Sequence, residues 1–397
     1  MVGGELLLGL TAGVVFAGAY ERLRHQRCLD QIPIRVHVNG TRGKSSVTRL
    51  IAAALREGGI RTCAKTTGTL ARMIMPDGHE VPVFRPSRPN VIEQIRIVRA
   101  AAVLGAEALV IECMAVTPEL QWVSESRLVK ATHGIITNAR ADHLDQMGPT
   151  EHDVALALCA TVPLRGRLYT AERRHLETIR MATLDRSATL ITVDEAEVTQ
   201  LPRGAMDGFR HTEHAENVAL ALRVVRDLGI APEVALRGMH LAAPDPGAMT
   251  RHEVEFFGRK IHFFNGFAAN DPESTERIWR MALDAFPEVG RRIAIFNCRA
   301  DRAHRSATLG DAYARWPQAD AVVLMGTGTY HFAQAAIRAG VDPTRFEFAD
   351  ERATAEVFEL LVARTGRDAL VMGMGNIGGP GYELVSFMRN RERLLEA

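Results

Sequence analysis

A glycine-rich loop between an apolar strand and a helix is the feature that most constrains how this chain folds. Residues 36–46 read VHVNGTRGKSS, and they join the β-branched run at 34–38 to the helical spacing of 47–56. At such a junction the first backbone N–H groups of the helix point at a bound anion, and the helix dipole favours negative charge. The sequence therefore predicts a phosphate-binding loop.

The residue types in this loop suit a nucleotide phosphate. Gly40 and Gly43 permit backbone conformations and a close approach that a Cβ would block. Lys44 is expected to reach the terminal phosphates, and Ser45 to bind Mg²⁺. The generic pattern needs a glycine where this chain has Val38, so the prediction rests on GKS in its strand–loop–helix context. The predicted nucleotide-binding residues of the loop are Gly40, Thr41, Arg42, Gly43, Lys44, Ser45 and Ser46.

Strand-like and helix-like segments alternate along the rest of the chain. A helix is expected at 91–104, and apolar strands are expected at 108–112, 134–137, 293–297, 321–325 and 369–374. This alternation predicts an α/β fold with parallel sheets covered on both faces.

The length of the chain, 397 residues, is more than one hydrophobic core usually serves. The stretch 243–250 contains two prolines and a glycine and is the best linker. We therefore expect a hydrophobic helix at 1–28, a phosphate-loop domain at 29–247 and a smaller Rossmann-like α/β domain at 248–397.

Charge and cysteine content exclude several functions. Lys and Arg number 48 against 47 Asp and Glu, a net charge of +1 that argues against a strongly cationic nucleic-acid binder. The five cysteines are scattered without a CxxC pair, so neither a disulfide framework nor a zinc knuckle is indicated. A reducing compartment fits this pattern.

The N-terminal segment differs from the rest of the chain. Residues 6–20 carry no charge, and Arg22, Arg24 and Arg27 follow them. We expect a membrane anchor or a helix docked on a membrane partner, with the positive charges keeping the later domains on the cytoplasmic side. A buried or interfacial helix is the alternative. Glu5, with no Lys or Arg before it, argues against a signal peptide.

Two further positions suit a metal near the phosphates. Glu112 ends an apolar strand, and ligands of open parallel sheets bind at the carboxyl ends of strands. His143 stands between Asp142 and Asp145, just after another predicted strand. These groups favour a Mg²⁺ site. A solvated glutamate and a structural histidine are the alternatives.

In this combination the motifs resemble the ATP-dependent Mur ligase family, which includes muramyl peptide ligases and folylpolyglutamate synthases. Within that family the chain is more similar to the ligases that make poly-γ-glutamate. The resemblance extends over residues 35–381. Its segments are RVHVNGTRGKSSVTRL, KTTGTLARMI, ECMAV, DHLDQMGPT, AAPDPGAM, NGFAANDPEST, NCRADR and MGNIGGPG.

The resemblance implies an ADP-forming acid–amino-acid ligase. ATP would phosphorylate a carboxylate, and an amine would then displace the phosphate. The implied cofactors are ATP and Mg²⁺, and the implied substrates are glutamate and the growing poly-γ-glutamate chain. The implied partners are small membrane subunits, with the protein at the cell membrane and its catalytic domains in the cytoplasm.

The resemblance also assigns roles to individual residues. The implied catalytic residues are Lys44, Glu112, His143 and Arg302, and the implied metal ligands are Ser45, Glu112 and His143. Beyond the loop, the implied nucleotide contacts are Asn217, Arg299, Asp301 and Arg302. The implied substrate residues are Thr67, Gly68, Thr69, Arg72, Arg85, Arg88 and Asn270. The arginines among them suit a polyanionic product because guanidinium pairs bidentately with carboxylate. Ordinary surface arginines are the alternative.

The chain departs from the family pattern at three points. No lysine lies between Lys130 and Lys260, where many Mur ligases have a carbamylated lysine that binds a second metal. Glu213 stands four residues before Asn217, where the family usually has histidine. No UDP-binding domain precedes the phosphate loop, so a UDP-sugar substrate is not expected. Two other functions stay open: a folylpolyglutamate-type ligase, and a membrane-tethered NTPase acting on a partner.

Overall fold

Strands and helices alternate along the chain and build two separate sheets. The structure, a computed structural model, describes residues 2–67, 71–85, 89–209, 211, 213–244, 249–267, 269 and 271–392, with side chains from residue 9 onward. The chain divides into two units, Met1–Asp245 and Pro246–Ala397.

The first unit contains an eight-stranded sheet in the order β4-β3-β2-β5-β1-β6-β7-β8. Its strands are β1 (Ile34–Asn39), β2 (Thr62–Thr66), β3 (Arg72–Ile74), β4 (Glu80–Pro82), β5 (Ala108–Glu112), β6 (His133–Ile136), β7 (Arg167–Thr170) and β8 (Thr189–Thr192). The strands from β2 to β8 in this order are parallel, and β3 and β4 add an antiparallel edge.

Helices cover both faces of this sheet. They are α1 (Val2–Asp30), α2 (Lys44–Glu57), α3 (Glu93–Val103), α4 (Pro118–Val123), α5 (Leu144–Met147), α6 (Glu151–Leu158), α7 (Leu176–Asp185), α8 (Glu195–Thr199), α9 (Ala215–Asp227) and α10 (Pro232–Leu241). Successive residues of β5 point to opposite faces: Val110 packs in the core under α2, α9 and α10, whereas Leu109 and Ile111 pack under α1 and α3. This two-sided burial explains why β5 is apolar throughout.

The second unit contains a six-stranded sheet in the order β13-β12-β11-β14-β10-β9. Its strands are β9 (Thr250–Phe256), β10 (Arg259–Asn265), β11 (Arg291–Cys298), β12 (Ala321–Gly326), β13 (Phe346–Asp350) and β14 (Asp368–Gly375). Only β9 runs antiparallel to its neighbour in this sheet of described residues. Its helices are α11 (Pro272–Ala285), α12 (Ala303–Tyr313), α13 (Tyr330–Arg338), α14 (Thr354–Thr365) and α15 (Pro380–Arg389).

The predicted α/β fold with parallel sheets is confirmed, and each expected strand lies within an observed one or overlaps it. The N-terminal residues form α1, a helix of 29 residues. Among the helices formed by described residues, none combines the length and the hydropathy needed to cross a bilayer.

The position of β1 in the sheet decides which segments surround the loop that follows it. β1 lies between β5 and β6, and the register pairs Val38 with Glu112 and Asn39 with Ile136. The chain runs from β1 through α2 to β2 on one side and from β5 to β6 on the other, and such a change of direction creates a crevice at the carboxyl ends of the strands. The loop after β1 therefore meets the residues that follow β5 and β6.

A buried ion pair connects β1 to a neighbouring helical turn. His37 of β1 is fully buried, and its Nδ1 lies 2.7 Å from Oε2 of Glu125, which stands on a π-helical turn, Ser124–Val129. The other carboxylate oxygen accepts the backbone N–H of Ala131 at 2.8 Å. Burial lowers the pKa of His37, but the Cys113 thiol and the Glu125 carboxylate outweigh it and raise the pKa to about 9.

We expect this pair to make the stability of the protein pH-dependent. The folded-state pKa of about 9 lies above the ordinary value of 6.5. The contribution of His37 is therefore complete below pH 6.5 and is lost as the pH rises through 9. His37→Gln should lower the free energy of unfolding by about 3 kcal/mol at low pH, because it leaves the buried Glu125 carboxylate without its cation. The measurement is Tm of wild type and variant from pH 6 to pH 10.

Substitution of the exposed His79 by glutamine is the matched control, and it should leave Tm unchanged across this range. A Tm difference for His37→Gln that stays constant from pH 6 to pH 10 would contradict the charged pair.

Candidate active site

The loop after β1 has a shape that its glycines make possible. Gly40 has φ +133°, and a Cβ there would collide with the Thr137 hydroxyl. Gly43 has φ +81° and is the N-cap of α2, and a Cβ there would lie 2.7 Å from Oδ1 of Asn217. Both positions need glycine because a side chain would meet both backbone strain and a neighbouring group.

Residues after β6 brace the loop from one side. The Thr137 hydroxyl donates to the Arg42 carbonyl at 2.6 Å. The Asn138 side-chain oxygen accepts the Thr41 hydroxyl at 2.7 Å and the Arg42 N–H at 3.1 Å. Asp142 pairs with the Arg42 guanidinium at 3.2 Å. Hydrogen bonds within the protein thus fix the conformation of the loop.

Lys44 lies over the loop that it belongs to. Its ammonium group donates to the Gly40 carbonyl at 2.6 Å and lies 3.4 Å from the Thr41 carbonyl. As the first residue of α2, Lys44 adds its charge to the positive end of the helix dipole. The predicted loop residues therefore form one continuous turn at the start of α2, and its positive end suits an anion.

Glu112 meets this turn from the end of β5. Its Oε2 accepts the Ser45 hydroxyl at 2.9 Å and the backbone N–H of Thr67 at 2.7 Å. Only 3% of the surface of Glu112 is exposed. Three predicted residues from three segments of the chain therefore come together on one carboxylate oxygen.

The oxygen atoms of Ser45 and Glu112 fit a magnesium ion at a nucleotide. Mg²⁺ at such sites takes one or two protein oxygens and completes its shell with phosphate and water. Among the described residues, no three His, Cys, Asp or Glu side chains gather as a metal cluster. The two oxygens of Ser45 and Glu112 fit an ion that takes its remaining ligands from phosphate and water.

His143 is connected to the loop indirectly. It has φ +48°, a left-handed conformation that is unusual for a side chain larger than glycine. Its Nε2 lies 4.0 Å from Oδ1 of Asp142, the residue that pairs with Arg42. Strained backbone of this kind is concentrated at functional sites. The metal role of His143 stays a prediction.

Asn217 lies against the loop, and its implied contact with the nucleotide stays a prediction. Its Oδ1 faces Gly43, and its Nδ2 donates to Glu213 at 2.9 Å. Glu213, Thr137 and Asn138 were not among the predicted site residues. Asn138 could have been suspected because it follows a predicted strand, and Glu213 because its spacing of four places it near Asn217.

Buried charges extend from the site toward the antiparallel edge of the sheet. The Arg85 guanidinium donates to both oxygens of Glu93, at 2.7 and 2.8 Å. Glu93 also pairs with Lys65 at 2.7 Å, and Lys65 is fully buried in β2. Burial raises the pKa of Glu93, but Arg85 and Lys65 outweigh it and lower the pKa. A substrate carboxylate would therefore have to compete with Glu93 for Arg85.

The remaining predicted residues belong to β3, to the second unit or to the part of the chain that the structure does not describe. Arg72 begins β3 and pairs in register with Thr66. In the second unit, Arg299 forms a two-fold hydrogen-bonded pair with Asp301 at 2.6 and 2.9 Å, and the exposed Arg302 follows. Predicted residues outside the described part of the chain are Gly68, Thr69, Arg88 and Asn270.

Comparisons with known proteins agree with this geometry. Residues 38–162 match the family model described as the Mur ligase middle domain, and residues 251–391 match the poly-gamma-glutamate synthase CapB C-terminal domain. The PGA synthase CapB of Bacillus subtilis (strain 168) is 36% identical over 382 residues, which cover 96% of each chain. The capsule biosynthesis protein CapB of Bacillus anthracis is 36% identical, over 96% of this chain and 82% of that protein.

Solved structures share the fold. Folylpolyglutamate synthase of Mycobacterium tuberculosis, complexed with ADP and AMPPCP, superposes with a TM-score of 0.66 over 94% of this chain and 100% of that chain, at 16% identity. The two parallel sheets, the phosphate loop and the strand-end carboxylate define a ligase of the Mur type. Within that class, the chain belongs to the CapB family of poly-γ-glutamate synthases.

We expect Gly43→Ala to weaken nucleotide binding more than backbone strain alone explains. A left-handed alanine costs about 1 kcal/mol, and here its Cβ would also displace Asn217. Gly59→Ala is the matched control, because Gly59 has φ +83° with nothing within 4 Å of a Cβ. Tm should fall in both variants, but the Kd for ATP should rise only in Gly43→Ala. Equal ATP affinity in the two variants would contradict the contact between Gly43 and Asn217.

Proposed function

We propose that this chain is an ATP-dependent ligase that polymerises glutamate through its γ-carboxyl group by way of an acyl phosphate. The observation that carries the proposal is the meeting of Ser45, Thr67 and Glu112 at the mouth of the phosphate loop. Membership of the CapB family supports glutamate as the substrate.

The chemistry needs two displacement steps. A γ-carboxylate oxygen first attacks the γ-phosphorus of ATP, the bond to the bridging oxygen breaks, and ADP leaves. The acyl phosphate then carries a good leaving group on its carbonyl carbon. The amine nitrogen of the second glutamate attacks that carbon, phosphate leaves with the electron pair of the C–O bond, and the nitrogen loses a proton. The product is one amide bond with one ADP and one phosphate.

The residues of the loop supply binding and electrostatic stabilisation. Lys44 and the N–H groups at the start of α2 hold the β- and γ-phosphates and stabilise the charge on the transferred group. Ser45 and Glu112 would hold Mg²⁺, with His143 as a further ligand. Bound Mg²⁺ neutralises phosphate charge during transfer.

Cationic side chains outside the loop bind the anionic groups of ATP and of the substrate. By the family pattern, Arg302 and the Arg299–Asp301 pair contact ATP. The same pattern assigns Arg72, Arg85 and Arg88 to the carboxylates of the substrate, although Arg85 would first have to release Glu93. It assigns Thr67, Gly68, Thr69 and Asn270 to the substrate or the acyl phosphate. Bidentate guanidinium pairing gives such contacts directional preference as well as charge.

We expect Lys44→Ala and Glu112→Gln each to lower glutamate-dependent ADP formation at least about 100-fold, because each removes stabilisation of the transferred phosphoryl group. Hydroxylamine should trap a γ-glutamyl hydroxamate with the wild type and not with either variant. Lys260→Ala is the matched control, since Lys260 is 42% exposed and pairs with Glu253 in the second unit.

Other outcomes separate the alternatives. ATP hydrolysis that needs no glutamate would favour the NTPase, and hydrolysis that needs a folate would favour a folylpolyglutamate-type ligase. Wild-type turnover without any hydroxamate would contradict the acyl phosphate.

We also propose that α1 attaches the protein to the membrane through small membrane subunits, with the two units in the cytoplasm. Val14, Val15 and Phe16 of α1 are 73%, 65% and 75% exposed. The last turns of α1 are anchored instead, because Leu29 is buried and the His25 ring nitrogen contacts the Leu128 carbonyl at 2.9 Å. The end of the helix is thus fixed to the fold, whereas residues 9–20 are exposed and mostly apolar.

We expect Phe16→Glu to reduce the share of the protein that sediments with membranes, because it places a charge in this apolar surface. Phe257→Glu is the matched control, since Phe257 is 90% exposed on the second unit. Membrane sedimentation followed by quantitative immunoblotting measures the share. Identical sedimentation of wild type and Phe16→Glu would argue against α1 as the attachment.

A further inference from the structure

A buried carboxylate connects the phosphate loop to α9, although 167 residues separate the two in sequence. Oε2 of Glu213 accepts the Ser46 hydroxyl at 2.8 Å. Oε1 accepts Nδ2 of Asn217 at 2.9 Å and the backbone N–H of His214 at 2.8 Å. The Glu213 side chain is only 2% exposed. Each carboxylate oxygen therefore has a defined partner.

These hydrogen bonds set the charge state of Glu213. Nε2 of His211 also lies 3.6 Å from Oε2 of Glu213. Burial raises the pKa of Glu213, but the contacts from His211, Asn217, His214 and Ser46 outweigh burial and lower the pKa. An ionised carboxylate only accepts hydrogen bonds. Ser46 must therefore turn its proton toward Glu213, and Asn217 must turn its NH₂ group the same way.

The orientation of Asn217 reaches the loop itself. With its NH₂ group on Glu213, Asn217 places Oδ1 beside Gly43, at 2.7 Å from where a Cβ would stand. Gly43 is the left-handed residue that ends the loop and begins α2. Glu213 thus holds both sides of this turn, one through Ser46 and the other through Asn217.

We propose that Glu213 is a positioning residue that keeps the phosphate loop in its nucleotide-binding shape. This proposal depends on the proposed function in one respect, which is that ATP is the ligand of the loop. A preformed loop binds more tightly because it does not have to be ordered on binding. Glu213 touches none of the reacting groups, so its loss weakens ATP binding and leaves the chemical step in place.

The geometry distinguishes hydrogen bonding from charge. In Glu213→Gln, the amide oxygen takes the place of Oε1 and accepts Asn217 and His214, while the NH₂ group donates to a reversed Ser46 hydroxyl. This variant keeps the shape and loses the charge. Glu213→Ala loses both.

The test is equilibrium binding of ATP with Mg²⁺ and without glutamate, followed by steady-state kinetics. We expect Glu213→Ala to raise the Kd and KM for ATP at least 10-fold with kcat within about 3-fold of wild type, and Glu213→Gln to stay within about 3-fold in all three. Ser46→Ala should be intermediate, and adding it to Glu213→Ala should bring little further loss, because partners in one network are not additive.

Glu216→Ala is the matched control, because Glu216 lies in the first turn of α9 next to Asn217 but is 51% exposed, with a loose 3.9 Å contact to Arg173. Its Kd should equal that of wild type. Thermal unfolding confirms that each variant is folded.

Three results would overturn the inference: an unchanged Kd in folded Glu213→Ala, a loss in Glu213→Gln as large as in the alanine variant, or a fall in kcat at unchanged KM. The proposed function fails in a different way. Wild-type protein that binds ATP but forms no ADP with glutamate would reject the ligase while the binding series still decides the role of Glu213.

Discussion

The site depends on one constraint, which is that three adjacent parallel strands of the first sheet end side by side. β1 carries the loop, β5 brings Glu112 into register with Val38, and β6 delivers Thr137 and Asn138 beside the loop. Short side chains are enough to reach the loop, because the ends of adjacent strands lie only about 5 Å apart. The arrangement of the candidate site is thus a consequence of strand order.

Several buried charges next to these strand ends belong to ion pairs. His37 meets Glu125 under β1, and Lys65 and Arg85 meet Glu93 beside β2. Charges in such places are costly alone, and removing one partner is far more destabilising than removing both. Their common effect is to fix the strands and turns next to the loop, so that rigid neighbours position the groups that hold phosphate.

Short-range patterns predicted the parts of the site that lie close together in sequence. Lys44 and Ser45 follow from the junction of a strand and a helix, and Glu112 from its place at a strand end, where parallel sheets bind ligands. Arg85 shows the limit of this reasoning. Its position near a motif suggested a substrate contact, but the fold engages its guanidinium with Glu93.

The sequence by itself determined the alternation of strands and helices and the pattern of the phosphate loop, because these depend on periodicity and on residues a few positions apart. The class of chemistry followed from the resemblance of its motifs to the Mur ligases. Tertiary structure alone decided the order of the strands, the partner of Arg85 and the connection of Glu213 to Ser46. Such contacts join residues far apart in the chain, and only folding of the chain determines which side chains meet.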